Sequence, residues 1–509
     1  MNISKALLKG STLRFLTLVS NIGIGFYMMP FLIHNLGDVQ YGIWILVGTI
    51  VGFYGLLDFG MGAAVIRFIV RAMHGKEKNE VNRALSNAVF LFSGIGLLSL
   101  IITVAVIFFV PMIMGNDENV LLVQTIVAIL GIKVAIVFPF TTFRGVLTSK
   151  YRFDLLSYIQ LASLLMRTAV IIYFISDGAG IMSLAIIMAT ASLFESFAII
   201  LMAKKLMPEL RVSRSLINIG ILKEYFHYGK YTYISAIADK LRFSIDDFVV
   251  AGIIGLAAVT HYTIAVTLLK YFTQTMGSIF GVIAPVLNKY HKLEQWDKLR
   301  NVFKAVTELT SIAAILFGGL LITLGEQFIS IWMGDEYDDV YPAIVILTVA
   351  AVVAGAQRPS VAILYAIAKH KYYANITIIE AFANLVLSIV LASKIGIYGV
   401  ALGTAIPLLV SKLIFQPAYT CKQLDISLKS YYYSISKFFV SGFLMFFIMY
   451  ILINNIEVVS YFDLLVIGAL ETIVYVVISI RFLISDNATA YLKNVVPGRA
   501  AFLLRNVPG

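Results

Sequence analysis

Charge is what this chain has least of. Of 509 residues, 13% are charged and 60% hydrophobic, and the mean hydropathy is +0.91. A soluble domain is about half apolar and about a quarter charged, so a water-solvated globule is excluded. Cysteine is nearly absent. Cys421 stands alone, which rules out an intrachain disulfide and a Cys-based metal site. The six His are scattered, and His34 and His261, near the ends of apolar runs, look incidental. No zinc spacing, Walker loop, dinucleotide fingerprint or Ser-His-Asp order is present, so the chain reads as a non-enzyme without a cofactor. The N-terminal MNISKALLKGSTLRF has the basic flank of a signal sequence. No small-x-small cleavage site follows, and the apolar stretch runs on as an uncleaved first span.

What is present is a series of long runs rich in Leu, Ile and Val. They are too long and too uniform for an outer-membrane barrel and match bilayer crossings of about 20 residues. Fourteen spans are expected, near 12–34, 41–64, 84–111, 119–143, 154–176, 180–203, 228–253, 257–286, 303–332, 341–366, 372–393, 397–420, 434–454 and 462–484. The breaks alternate. HNLGDVQ, GNDEN, SDGAG, GDEYDD and NNIEVVSYFD form one set with two equivalents near Gly255 and Gly396, and Lys394 is the only Lys or Arg among them. The other set carries the Lys and Arg, including Arg71, Lys76, Lys78, Arg83, Lys150, Arg152, Lys204, Lys205, Lys289, Lys292, Lys369 and Lys371. Cytoplasmic loops retain Lys and Arg, so both termini are expected in the cytoplasm. Attraction to anionic headgroups accounts for the net charge of +11, and no nucleic-acid partner is needed.

An internal repeat runs through the chain. Leu36-Gly37 matches Ile254-Gly255, and NEVNR at 79–83 matches DKLRN at 297–301, both 218 residues apart. Pro139 and Pro359, and SKYRFD at 149–154 and KHKYYA at 369–374, repeat at 220. Six spans separate equivalent points, so the two copies share one orientation. The expected division is residues 1–212 and 213–425 as two six-helix bundles, with 426–509 as two appended helices and a tail.

Charges inside the spans are the main functional signal. They are Asp58, Arg67, Lys133, Arg167, Glu195, Lys240, Arg242, Asp246, Asp247, Lys270, Arg358 and Glu380. Burying seven such groups costs on the order of 20 kcal/mol before pairing, which makes a polar cavity the economical explanation. Plain alternatives stand beside it. Arg242 and Asp246, four apart, would neutralise each other on one helix face. Arg67 and Lys240 would snorkel to headgroups, and Glu195 and Glu380 would serve as interhelix contacts. Asp58 and Arg67, nine apart, would face opposite sides of an unbroken helix, but Gly60 and Gly62 offer a bend. Lys133, Asp247, Lys270 and Arg358 remain the better functional candidates. Tyr-rich stretches near 225–233, 371–373 and 430–434 fit an interfacial aromatic belt.

YGIWILVGTIVGFYGLLDFGMGAAVIRFIVR, followed by GKEKNEVNRALSNAVFLFSG, resembles the N-terminal half of Wzx-type polysaccharide repeat-unit flippases. These belong to the multidrug/oligosaccharidyl-lipid/polysaccharide export superfamily. IDDFVVAGIIGLAAVTHYTIA at 245–265 is similar to the seventh-to-eighth span junction of that family. The resemblance implies an all-α polytopic protein with two pseudo-symmetric six-helix bundles in a V and two further helices, in the bacterial cytoplasmic membrane. It implies a cargo of undecaprenyl-pyrophosphate-linked oligosaccharide, for O-antigen, capsule or exopolysaccharide assembly, and a polysaccharide polymerase and chain-length proteins as partners. Lys133, Arg242, Lys270, Arg358 and Arg67 are then the cationic substrate pathway. Asp58, Asp246 and Asp247 serve coupling to an H⁺ or Na⁺ gradient, or charge balance. A drug/cation antiporter of the same superfamily is the nearest rival; it would lack the cationic set. A membrane polymerase or ligase would carry a large outer loop, whereas every outer loop here is short.

Overall fold

The computed structural model describes residues 3–73, 79–114, 118–225, 244–281 and 283–495, together with Tyr233, Ile237 and Lys240. Among them every regular element is a helix. Large side chains such as Phe108, Met112 and Phe443 stand exposed on the outside. Surfaces of this kind belong in lipid, where the backbone must be satisfied within each span.

The chain splits into two compact units, Met1–Lys240 and Leu241–Gly509. The first contains α1 (Ile3–Leu36), α2 (Asp38–Phe53), α3 (Met61–Met73), α4 (Glu80–Met114), α5 (Val120–Thr141), α6 (Arg144–Ser149), α7 (Phe153–Ser176) and α8 (Ile181–Leu206). α4 packs along α5, α7 along both α1 and α8, and α3 against α6. Small residues set the closest crossing: Gly96 faces the Ala135 backbone, and Gly131 faces Thr103, as membrane helices need when side-chain hydrophobicity gives no net drive to associate.

The second unit runs through α9 (Asp246–Ile253), α10 (Leu256–Phe280), α11 (Ile283–Lys292), α12 (Trp296–Thr323), α13 (Gly325–Met333), α14 (Tyr341–Ala356), α15 (Arg358–Ala366) and α16 (His370–Val410). α17 (Gln416–Leu424), α18 (Leu428–Ile453), α19 (Tyr461–Ile478) and α20 (Asp486–Val495) complete it. α12 is its centre and packs against α14, α18 and α20. The buried carboxylate of Glu308 on α12 accepts the backbone N–H of Ser485 at 2.9 Å and lies 3.9 Å from Lys437 of α18. On α19, the fully buried Glu471 accepts a hydrogen bond from Thr323 of α12 at 2.9 Å.

The backbone carries the repeat more clearly than the side chains do. Gly37 and Gly255 (φ +77° and +130°) end the first turn of each copy, and Gly178 and Gly396 (+86° and +60°) end a later one. Each pair is 218 residues apart, at conformations L side chains rarely adopt. Spans also break in corresponding places. The second span splits after Phe53 and the eighth after Phe280, while the fourth is followed by α6 and the tenth is cut at Gln357. Pro359 therefore lies in the first turn of α15, where a missing N–H is harmless.

Among the described residues, eleven segments are long and apolar enough to cross a membrane, against fourteen spans expected in the whole chain. One of them, Lys371–Leu424, is folded back at Ile395–Gly396 and holds two expected spans. α10 is 25 residues long but rich in Thr, and does not qualify; most of 228–253 lies outside the described residues. The hairpin of α16 is tight: a Cβ at Gly403 would sit 2.5 Å from the Ser388 nitrogen and 2.7 Å from its Cα. Gly403→Val is expected to cost at least about 1–3 kcal/mol through overpacking, measured as lowered thermal stability of purified protein in detergent.

Candidate functional site

In the first unit, Asp58 closes a short 3-10 turn, Tyr54–Asp58, and Phe59 and Gly60 follow in left-handed conformations. The span is thus broken where Gly60 and Gly62 offered a bend. The Asp58 carboxylate accepts the N–H of Gly60 at 2.5 Å and lies on those of Met61 and Gly62. It therefore satisfies the otherwise open start of α3, where a carboxylate also meets the positive end of the helix dipole. A Cβ at Gly62 would approach its Oδ2 to 2.9 Å. Arg67 stands on the exposed face of α3 beside Ile66.

Deeper in the same unit, Lys133 of α5 and Arg167 of α7 lie within electrostatic reach of one another, and Arg167 within reach of Glu195 on α8. Glu195 in turn receives the guanidinium of Arg144, the first residue of α6, at 2.5 Å. The interhelix role expected of Glu195 is present. Arg144 was not a candidate: it stands just past the end of a span, 51 residues from its partner, and no periodicity connects them.

The second unit holds a different site. Asp246, 6% exposed, accepts hydrogen bonds at Oδ2 from Tyr262 (2.8 Å) and Thr404 (2.7 Å). Asn384 lies beside it and accepts from Ser388 at 2.8 Å. Oδ1 of Asp246 and the hydroxyl of Thr263 are buried without a hydrogen-bond partner among the described residues. Glu380, one turn before Asn384, is also buried. α9, α10 and both arms of α16 thus bring one carboxylate together with neutral oxygens. Among the described residues no group of three or more His, Cys, Asp or Glu could hold a metal. Asp247 is half-buried next to Asp246. Arg242, expected to neutralise Asp246, lies outside the described residues.

Lys270 is exposed near the middle of α10, in line with Gln274 and Ser278, which are also exposed. Arg358, at the start of α15, donates from Nη2 to the Thr273 carbonyl at 2.7 Å, and a Cβ at Gly277 would lie 3.2 Å from its Nη1. Residues 270, 273, 274 and 277 share one face of a helix, so the structure brings Arg358 to the polar stripe that carries Lys270. Lys412, 3% exposed, is a further cation missed in the sequence. It donates to Gln416 at 2.7 Å and lies 4.8 Å over the Tyr373 ring, in a π-helical turn at Ser411–Phe415. Its signal was available as a lone Lys inside PLLVSKLIF.

Two other expectations change. Tyr225 and Tyr431 are core residues and not an aromatic belt: their hydroxyls donate to the Ala84 carbonyl (3.1 Å) and to Gln357 (2.8 Å). His261 is not incidental, since it pairs with Asp339 at 2.9 Å and holds the start of α10 to the acidic turn at Asp335–Val340.

The arrangement is that of an all-helical polytopic membrane protein. The structure of "Lipid II flippase MurJ, inward closed conformation" matches with a TM-score of 0.72 at 16% identity, covering 94% of this chain and 99% of that one. An inward-facing multidrug resistance MATE family transporter of the MOP superfamily matches at 0.67 and 15%, covering 84% and 99%. At these identities the likeness concerns the fold. In sequence, the chain is 23% identical over 406 residues to "Uncharacterized membrane protein EpsK" of Bacillus subtilis, covering 79% of this chain and 80% of that protein. It is 21% identical over 402 residues to "Putative O-antigen transporter" of Shigella flexneri, covering 77% and 92%. The family model described as polysaccharide biosynthesis protein matches residues 36–342, and the chain belongs to that family. Family, relatives and fold together bear out the resemblance read from the sequence.

The cap at Asp58 has a measurable consequence. Asp58→Ala is expected to lower stability by about 0.5–2 kcal/mol and Asp58→Asn by much less, because Asn also caps helices. Thermal unfolding of the two purified variants distinguishes them.

Proposed function

We propose that the protein is a flippase that carries undecaprenyl-pyrophosphate-linked oligosaccharide repeat units across the bacterial cytoplasmic membrane by alternating access, for surface polysaccharide assembly. The observation that carries this reading is the convergence of Lys270 and Arg358 on the polar stripe of α10, within a membrane-embedded unit of a polysaccharide biosynthesis protein. A pyrophosphate is dianionic or more and needs fixed cationic donors wherever water is scarce; a guanidinium fork and an ammonium supply them. The sugars need a hydrated route, while the polyprenyl chain stays in lipid. Lys133, Arg67 and Arg242 extend the cationic route in this reading. A drug/cation antiporter shares the fold, but a cationic stripe repels its cargo. Both termini face the cytoplasm, where the Lys- and Arg-rich breaks hold them, and the flipped unit passes to a polymerase and chain-length proteins outside.

Asp246 is the coupling residue of the proposal. Its oxygen Oδ1, which has no hydrogen-bond partner among the described residues and lies near the neutral oxygens of Tyr262, Thr404 and Asn384, suits a proton or a hard monovalent cation. Asp58 is occupied by its own backbone, so it contributes charge balance in place.

Complementation of a flippase-null strain tests the reading, with surface glycan as readout. Wild type should restore the glycan. Lys270→Ala or Arg358→Ala, at equal membrane levels, should reduce it about tenfold or more, the scale of one lost charged hydrogen bond. Full restoration by both variants would remove the pyrophosphate assignment. In proteoliposomes, Asp246→Asn should abolish stimulation of translocation by an H⁺ or Na⁺ gradient while unstimulated exchange persists; stimulation equal to wild type would reject Asp246 as the coupling site.

A further inference from the structure

The appended helices carry a buried acid that the flippase reading does not use. Glu471 is the only Asp, Glu, Lys, Arg or His between Asp463 and Arg481, and it is fully buried where α19 packs on α12 and α18. Its Oε2 lies 2.9 Å from the hydroxyl of Thr323, and its Oε1 meets no donor among the described residues. Glu308, also buried on α12, is supplied differently: it receives a backbone N–H and lies 3.9 Å from Lys437. No Lys, Arg or His among the described residues pairs with Glu471.

The hydrogens around Thr323 can be counted. A threonine hydroxyl has one hydrogen to give and lone pairs with which to receive. That of Thr323 stands 3.0 Å from the Gly319 carbonyl, the back-bond a helical threonine commonly makes, and 2.9 Å from Glu471. The carbonyl can only accept. An ionised Glu471 can only accept as well, so Thr323 would serve it by withdrawing from Gly319. Both contacts are satisfied together when Thr323 donates to Gly319 and Glu471 donates to Thr323, and a carboxyl that donates carries a proton. The charged form has a second disadvantage: a buried carboxylate without a cation, and with one oxygen bare, is costly. One and two turns further along α19, the hydroxyls of Tyr475 and Ser479 are buried with no hydrogen-bond partner among the described residues. Gly442 of α18 leaves room for the first, since a Cβ there would lie 3.6 Å from the Tyr475 hydroxyl. The seam is therefore lined by groups that are polar but uncharged.

We propose that Glu471 is a proton-binding site, a neutral acid that donates to Thr323 while α19 is docked on α12. Opening of that joint breaks the bond and releases the proton to water, and redocking takes one back, so attachment of the appended helices binds one proton. The nearest titratable groups on the neighbouring elements are Glu308 of α12, Glu326 of α13, Tyr341 of α14, Lys437 and Tyr450 of α18, and Tyr475 of α19 itself. Among the described residues none of them bonds to Glu471, so the proton is held by the Thr323 contact and by burial. The site is separate from Asp246 and stands whether or not the cargo is a lipid-linked glycan.

Infrared spectroscopy of the full chain in detergent, at neutral pH, tests the assignment. The difference between wild type and Glu471→Gln should show the C=O stretch of a protonated carboxyl, displaced when water is exchanged for D2O. A difference showing carboxylate bands in its place overturns the proposal. Thermal unfolding supplies an independent readout. At neutral pH the unfolded chain gives up the proton that the docked helix keeps, so raising the pH favours unfolding of wild type. Glu471→Gln has no such proton. The Tm of wild type should therefore fall relative to that of Glu471→Gln from mildly acidic to alkaline buffer, by about 2 °C or more. A difference in Tm that stays constant across this range, or changes in the opposite direction, overturns the proposal. If Glu471→Gln does not fold, Thr323→Val takes its place. Loss of the accepting hydroxyl should move the protonated-carboxyl band to higher frequency, and an unmoved band overturns the proposal.

Discussion

Inside a bilayer there is no water to complete a broken backbone or to solvate a charge, and this constraint shapes the whole molecule. Each interruption of a span must be satisfied by groups already present. The break between α2 and α3 shows how: the carboxylate of Asp58 covers the N–H groups that the following helix leaves open. A charge that looked anomalous in an apolar run is what makes the interruption tolerable. At Gln357 the break is held differently. Gln357 accepts from Ser360 and Tyr431, and its carbonyl from Gln416, so a buried amide network takes the place of solvent.

The same constraint separates acids from bases. Asp58, Asp246, Glu308 and Glu471 are each met by hydroxyl or backbone donors, and each is fixed to a neighbouring element. The cations behave otherwise. Lys133 faces another cation, Arg358 leans on a backbone carbonyl, and Lys270 is exposed. Each of these acids is held by at least one internal donor, although Oδ1 of Asp246 and Oε1 of Glu471 find none among the described residues.

Much of this was legible in the sequence, for a physical reason. Hydrophobic run length and Lys/Arg asymmetry report directly on the bilayer, so the all-helical, polytopic character followed from composition. The 218-residue interval found with Gly37 and Gly255 also held for Gly178 and Gly396, because a reversal at positive φ restricts side chains whatever surrounds it. What escaped was tertiary. Arg144 and Glu195 meet across 51 residues, Lys412 is buried against Gln416 and the Tyr373 ring, and the cap at Asp58 exists only because the chain turns left-handed at Phe59. The eighth expected span is not apolar throughout for a related reason: α10 carries many hydroxyls, although its opposite face is packed into the core.

Glu308 joins features that are distant along the chain. Its carboxylate holds the residue that opens α20 and neighbours a lysine of α18, while its own helix is the axis of the second unit. The C-terminal amphipathic segment is thereby coupled mechanically to the interior of that unit. A fluorophore on α20 would act as a pointer for the central helix, reporting its movements from the far end of the unit.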